Sequence, residues 1–255
     1  MPLPCRLRGA TALHMGDRSE QQDQVALLSH PRAPGCVMVV LADGMGGRRG
    51  GRLAADQVML TARQLFEGYA PATDSAATLL QQLVTQAHTM IRLMALASEQ
   101  EPHSTVAAFI LNPAGDCHWV HAGDSRIYHF RNGALLHRTR DHSHVQSLLD
   151  RGELDAGDAA SHPKAHVLTH CLGTTEPPPK SAHSIAQVQP GDVLLACSDG
   201  IWSHFSHEAL GRLLSQLDAA AAGAALVEQA RARAHGCSDN LSLAIVKIEA
   251  SANTG

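Results

Sequence analysis

Six consecutive apolar residues, Val37–Ala42, have the length and β-branched content of a buried strand. The run ends abruptly at Asp43 and a loop rich in glycine, with Arg48 and Arg49 inside it. Upstream, Arg6–His14 alternates weakly and predicts a sheet-starting or edge strand. Gly16–Asp23 is polar, and Val25–Leu28 is a short strand before the Pro31–Gly35 turn. Downstream the period changes. Leu53, Ala54, Val58, Leu60, Thr61, Leu65 and Phe66 recur at three-to-four spacing and predict a helix over Gly51–Tyr69. Ala76, Leu79, Leu80, Leu83, Ala87, Met90, Ile91 and Met94 predict a second over Ser75–Ala97, capped by Asp74 or Ser75, with its methionines as core fillers.

From Ser104 the pattern is that of strands again: Thr105–Leu111, Asp116–Ala122, Ser125–Phe130 and Ala134–His137, the last pair joined by an Asn132-Gly133 hairpin signal. Links this short imply antiparallel sheet rather than alternating strands and helices. Asp141–Thr175 holds one short helix, His144–Asp150, in a Gly-, Asp- and His-rich passage; long polar insertions of this kind lie over a site or in solvent. Strands His183–Val188 and Val193–Cys197, helices His207–Gln216 and Ala219–Ala234, and a final strand Leu241–Ile248 complete the chain. No internal repeat or linker breaks it, so one domain over residues 1–255 is expected, with a core at 6–248.

Composition narrows the function. The 255 residues are 44% hydrophobic and 17% charged, with a net charge of −4, so the chain is globular and carries no electrostatic footprint for nucleic acid. Basic residues cluster locally only at Arg48-Arg49 and Arg138–Arg140. Six cysteines without a CxxC pair suit buried free thiols, no apolar run approaches the ~18 residues of a membrane span, and a cytoplasmic protein is the expectation. Seventeen histidines include no HExxH, so a histidine zinc site is not expected.

The chemistry lies in carboxylates. An ionised Asp at the end of an apolar strand is costly to desolvate without a cation. Read alone, Asp43 and its glycines fit a carboxylate-plus-backbone site for metal or phosphate, and equally a tight turn with a solvated Asp. Asp199 repeats the strand-Asp-Gly arrangement; Asp124 sits in a Gly-Asp turn between strands; Asp239 precedes the last strand; Asp23 closes the first polar loop. Five carboxylates at strand ends suggest convergence on one sheet edge. Their repulsion calls for hard divalent cations, and oxygen-only ligation suits Mg²⁺ or Mn²⁺ over zinc.

The motifs ADGMGG (Ala42–Gly47), RSEQQD (Arg18–Asp23), Ser104-Thr105, HAGDSRIYHFRNG (His121–Gly133), DHSHVQSLLDRG (Asp141–Gly152), GDVLLACSDGIW (Gly191–Trp202) and SDNLS (Ser238–Ser242) stand in the order of one family. The chain resembles the metal-dependent type 2C (PPM) protein serine/threonine phosphatases, of the bacterial stand-alone type. The resemblance implies an α+β fold, a four-layer αββα sandwich of two antiparallel sheets flanked by helices. It implies two cations: Asp43 bridging both, the Gly44 carbonyl on one, Asp199 and Asp239 on the other, and Asp23 acting through water. Bacterial members often hold a third ion, with Asp124 and Asp199 as its ligands here. Arg18 would clamp the phosphate, and residues 141–175 would form the flap that helps choose substrates. The implied activity is hydrolysis of phosphoserine and phosphothreonine on proteins, opposing a Ser/Thr kinase, by attack of a cation-activated water.

Departures from the family pattern open two questions. Met45 and Arg48 stand where relatives often have histidine, so the proton donor to the leaving alkoxide is unassigned between a metal-bound water and a histidine of 142–170. His142 is expected to anchor the flap rather than transfer protons. Arg48 and Arg49 are either solvated loop charges or an attraction for acidic substrate segments. Two rivals are a pseudophosphatase that only binds phosphoprotein and a nucleotide phosphodiesterase; retention of Asp43, Asp199 and Asp239 speaks against the first, and 3% aromatic content against the second.

Overall fold

A computed structural model of the chain describes residues 5–97, 100–180, 182–185 and 187–250, without the side chains of residues 47–49. Two five-stranded antiparallel sheets face each other. In the first, β1 (Cys5–His14), β12 (Leu241–Ala250), β11 (Asp192–Cys197), β8 (Arg126–Arg131) and β9 (Ala134–Arg138) lie side by side in that order. In the second the order is β10 (Ala182–Ile185), β7 (Cys117–Ala122), β6 (Val106–Leu111), β3 (Val37–Ala42) and β2 (Gln24–Ser29).

Three apolar layers hold this together. Val39, Leu41, Phe109, Trp119, Leu194 and Val246 fill the space between the sheets. Met38, Val40 and Ile110 face outward under helices α1 (Gly47–Gly68) and α2 (Ala76–Leu96). On the other side, Tyr128, Phe130, Leu195 and Ile245 pack under α5 (His207–Gln216) and α6 (Ala219–Arg233). The result is the expected αββα sandwich. It explains why β3 reads as unbroken apolar sequence: both its faces are covered, and all six residues are buried.

Several expectations shift at the helices. α1 begins at Gly47, inside the glycine loop, rather than at Gly51. A Cβ on Gly51 would sit 2.5 Å from the Gly44 carbonyl oxygen, and one on Gly44 only 2.0 Å from the Gly51 oxygen, so close packing of this first turn on the strand end overrides glycine's poor helix propensity. Leu53 and Leu60, expected in the core stripe, are 48% and 49% exposed; Ala55, Met59 and Ala62 are buried instead. Met90 is 43% exposed and Met94 half-buried, so they are not core fillers; the buried face of α2 passes through Val84 and His88. Ser75 is the cap, its hydroxyl accepting from Thr78 N–H.

Two short elements escaped the pattern. A two-residue pairing joins β4 (Gly44–Met45) to β5 (His103–Ser104), and one helical turn, α4 (Asp199–Trp202), follows β11. The insertion is closed at its neck. Helix α3 (His144–Asp150) is capped by Ser143, Thr169 N–H donates to the His142 carbonyl, and Leu172 N–H to that of Ser104. The six cysteines are free thiols, four of them buried. Among the described residues, no helix is long and apolar enough to cross a membrane.

At the opposite end of β11 from Cys197, the fully buried Asp192 accepts from Arg131 Nε (2.6 Å) and Nη2 (3.0 Å) and from Gln189 N–H (2.7 Å). Burial pushes its pKa up, but these bonds and His129 overcome that and hold it at about 2. Because this pKa is depressed, the stabilisation is present above the ordinary carboxylate pKa and is lost as pH falls towards 2. Asp192→Ala is expected to cost about 3 kcal/mol in urea unfolding while leaving activity per folded molecule intact. A loss below about 0.5 kcal/mol, within the range of ordinary surface substitutions, would contradict this account.

Candidate metal centre

The five carboxylates arrive from five separate strand ends, and in most the backbone is tied down while the side chain is left to face its neighbours. Asp43 follows β3; its N–H donates to Thr105 Oγ1 (3.0 Å), and its carbonyl accepts from Thr105 N–H (2.8 Å) and Ser104 Oγ (3.1 Å). Asp124 follows Gly123, which has φ 101° and packs against Thr105, and the Asp124 carbonyl accepts from Trp202 Nε1 (2.9 Å). Asp199 opens α4, its carbonyl accepting from Ser203 Oγ at 2.6 Å. Asp23, only 1% exposed, accepts from Ser242 Oγ (2.8 Å), which also lies 3.1 Å from Ser198 Oγ. Asp239 accepts from Asn240 N–H (2.7 Å) through one oxygen and from Arg18 Nη2 (2.7 Å) through the other.

Electrostatics shows that these groups share one site. Burial raises the Asp43 pKa well above the usual carboxylate range, and the charges of Asp23, Asp199, Asp124 and Asp239 raise it further. Asp23 is pushed up to about 7 by burial and by Asp199 and Asp239, against the lowering hydrogen bonds of Ser242 and Ser198. Asp124 is also raised to about 7, by burial and then by Asp199 and Asp141. Asp199 reaches about 6 through burial and Asp239. Among the described residues, none of Asp23, Asp43, Asp124 or Asp199 has an ion-pair partner; Asp239 alone of the five is paired, with Arg18.

Such a set is a poor structural cluster and a good cation site. Its donors are all oxygen, its one ion pair is the exposed Arg18–Asp239 contact, and Asp23, Asp43, Asp124 and Asp199 are each destabilised by burial and by neighbouring carboxylates. As the side chains stand, no group of three or more His, Cys, Asp or Glu residues among those described is arranged so that it could hold an ion. The donor chemistry nonetheless fits hard divalent cations, with Arg18 exchangeable at Asp239 because its side chain is 62% exposed. Gly44 follows Asp43 directly and pairs with Ser104 in β4.

The carboxylates open into a cleft of about 700 Å³ that runs from Arg18, Asp124, Asp199 and Asp239 beneath the 141–175 insertion. Of the histidines in 142–170, His166 lines this cleft. His142 does not; its ring stacks on His121 at 4.4 Å and its Nδ1 accepts from Gly123 N–H (3.2 Å). Burial, then the neighbouring His121 and His170, lower its pKa to about 3. It is therefore neutral at physiological pH and acts as an anchor for the insertion. The side chains of Arg48 and Arg49 lie outside the described residues.

Sequence reasoning missed the residues that clamp the site's loops together. Asn240 accepts from Gln22 N–H (2.7 Å) and donates to the Met15 (2.8 Å) and Glu20 (3.0 Å) carbonyls, and Asp17 accepts from both N–H and Oγ of Ser238 at 2.8 Å. Asn240 is visible in the SDNLS motif, but nothing local distinguishes its role from that of Asp239. Arg126 and Asp141 form a bidentate pair (2.8 and 2.7 Å), with the guanidinium 3.3 Å from the Trp202 ring centroid.

An αββα sandwich with an all-oxygen acidic site at one sheet end defines the class of scaffold, and comparison with known proteins makes the family explicit. The family model described as protein phosphatase 2C matches residues 8–234. The chain belongs to the protein phosphatase 2C family. A putative protein phosphatase 2C-type protein of Streptococcus pyogenes is 26% identical over 91% of this chain and 93% of its own length. The serine/threonine protein phosphatase PstP of Mycobacterium tuberculosis is 28% identical over 84% of this chain, which spans only 41% of PstP. The solved catalytic domain of PstP, in complex with two manganese ions, matches with a TM-score of 0.80 and 25% identity, covering 95% of this chain and 98% of that one. PppA of Pseudomonas aeruginosa, described as a key regulatory component of T6SS, matches with a TM-score of 0.78 and 31% identity over 95% and 97% of the two chains.

The raised pKa of Asp124 yields a test independent of activity. A folded-state pKa above the unfolded one means that the carboxyl favours the fold at low pH and that this contribution is lost as pH rises through about 7. In chelator, Asp124→Asn is expected to raise the melting temperature by roughly 3–6 °C at about pH 7.5 and to change it little near pH 4. Equal shifts at the two pH values would mean that charge repulsion is not what Asp124 experiences.

Proposed function

We propose that this protein hydrolyses phosphoserine and phosphothreonine esters on proteins with the help of Mn²⁺ or Mg²⁺, opposing a Ser/Thr kinase, through one phosphatase domain with its core at residues 6–248. The observation that carries this reading is the gathering of five carboxylates at one sheet end, four of them raised by burial and by one another, with Asp124, Asp199 and Asp239 lining the cleft. Asp43 would bridge two cations, with the Gly44 carbonyl on one and Asp199 and Asp239 on the other. Asp23, held by Ser242, would act through water, and Asp124 with Asp199 would serve a third ion. Bound cations supply a nucleophile from water near neutral pH and neutralise charge on the phosphoryl oxygens.

The chain's own residues do the rest. Arg18, at the cleft and exposed enough to leave Asp239, offers a planar pair of donors to the phosphate oxygens, the geometry that guanidinium groups match well. His166, the histidine of 142–170 that lines the cleft, would protonate the departing serine or threonine oxygen, the alternative donor being a metal-bound water. No protein nucleophile is required; burial pushes the Cys197 thiol far up, out of reach of neutral pH. A pseudophosphatase would have no use for retaining Asp43, Asp199 and Asp239 at such electrostatic cost.

Wild-type protein is expected to turn over a phosphopeptide and p-nitrophenyl phosphate with Mn²⁺ and to lose both activities in EDTA. Asp239→Asn is expected to fold normally, weaken Mn²⁺ binding in calorimetry and slow turnover at least about tenfold. Metal-independent or absent turnover by the wild type would sink the reading. The proton donor has its own signature. Phenolate leaves readily, whereas a serine alkoxide needs a proton, so His166→Asn should reduce kcat on phosphopeptide by about 10²-fold and far less on p-nitrophenyl phosphate. Equal losses on the two substrates would remove His166 from that role.

A further inference from the structure

Beyond the carboxylates, the cleft continues along the outer face of the first sheet. Arg126 and Tyr128 lie two residues apart on β8 and share a face, and Tyr128 pairs in register with Arg138 on the edge strand β9. Arg126, Arg138 and His207 line this part of the cleft on the sheet and α5 side, and Val145, Leu149 and Ala160 line it on the insertion side. The first side carries two guanidiniums against the single carboxylate of Asp141, and the second combines these apolar residues with Ser143 and Gln146.

The two arginines are in different electrostatic states. Arg126 is satisfied: Asp141 takes it with both oxygens, Tyr128 Oη accepts from Nη1 at 3.2 Å, and Trp202 covers its face. Arg138 is half-buried, yet its hydrogen-bond partner is the neutral Gln146 Oε1 at 3.5 Å, and among the described residues no carboxylate pairs with it. Asp141 offsets part of its charge from a distance, but both Asp141 oxygens are engaged by Arg126. Desolvation and the Arg126 charge both lower the Arg138 pKa, and His207 is lowered by burial and then by these two guanidiniums. A positive centre thus sits inside the cleft without a counter-ion.

We infer that Arg138 is a specificity-determining residue that receives an acidic side chain of the substrate, flanking the phosphorylated residue, while apolar residues beside it rest on the insertion. The inference depends on the phosphatase reading of the site. Asp124 and Tyr128 are four residues apart, the last part of that path lying in β8, so they are separated by at most roughly 13 Å. A bound peptide in extended form spans that distance in about three or four residues. The acidic residue is therefore expected about three or four positions from the phosphoresidue, on one side only.

The test is a series of phosphopeptides in which a single Glu is stepped through the flanks and compared with Gln and Lys at the same positions. In the wild type, kcat/KM should peak with Glu about three or four residues from the phosphoresidue, by about five- to tenfold over Gln, and the peak should fall as salt rises from about 0.05 M to about 0.5 M. Arg138→Gln should bring the Glu-to-Gln ratio within about twofold of unity, and Arg138→Glu should make Lys the preferred residue there. A flat series in the wild type overturns the inference, as does a peak that survives Arg138→Gln. Should the variants fail to fold, the wild-type series and its salt dependence decide by themselves. p-Nitrophenyl phosphate has no flanking chain: wild-type turnover of it with Mn²⁺ beside a flat peptide series removes this inference alone, whereas no turnover removes the phosphatase reading beneath it.

Discussion

Several negative charges brought close together out of water repel one another by kcal/mol amounts, and the molecule is built around holding them there. Five aspartates meet at one end of two stacked sheets, and four of them are shifted towards the neutral form by burial and by one another. Hydrogen bonds from Ser242 to Asp23 and from Arg18 and Asn240 to Asp239 offset only part of this cost. The stability that opposes this repulsion comes from elsewhere, from three apolar layers in which β3, β6 and β11 are buried along their whole lengths.

The sandwich controls the charges through their backbones. Asp43 is held by Thr105 and Ser104, Asp124 by Trp202 and Asp199 by the one-turn helix it opens, while Asp239 is held at its side chain, which accepts from Asn240 N–H. Strand ends suit this task, because a residue just past a hydrogen-bonded ladder has a fixed main chain and a side chain free to project beyond the sheet. Glycines at 44, 51 and 200 serve the same end by closeness: a Cβ on Gly200 would lie 2.1 Å from the Asn240 carbonyl oxygen. Loops that far apart in sequence can be locked to sub-ångström positions only where no side chain separates them.

Much of this was legible in sequence. β3 and α5 have the limits that periodicity predicts, because their apolar spacing is decided by the faces they bury. The convergence of Asp43, Asp199 and Asp239 was legible as a repeated strand-Asp setting and through the family motifs. The start of α1 was not, since Gly47–Gly51 has no helical signal and is placed by contact with Gly44. Two-residue strands such as β4 carry no period at all. Met90 lies one helical step, about 100°, from the buried Ile91, an error a wide apolar stripe hides. Asn240 and Asp17 act through partners far away in sequence, and no local pattern announces such pairings.

The insertion is anchored in the core by Leu172 and fastened to the carboxylate end by polar contacts. His142 stacks on His121 and accepts from Gly123 N–H, next to Asp124, while Asp141 holds Arg126, whose guanidinium lies over the same Trp202 that donates to the Asp124 carbonyl. A displacement of the insertion's neck therefore reaches the Asp124 backbone by two short routes. Because Asp141 is consumed by Arg126, it is withheld from Arg138, and the same contact that braces the site leaves a guanidinium uncompensated in the cleft. Bracing the Asp124 backbone and leaving the Arg138 guanidinium without a paired carboxylate are, in this chain, two consequences of one ion pair.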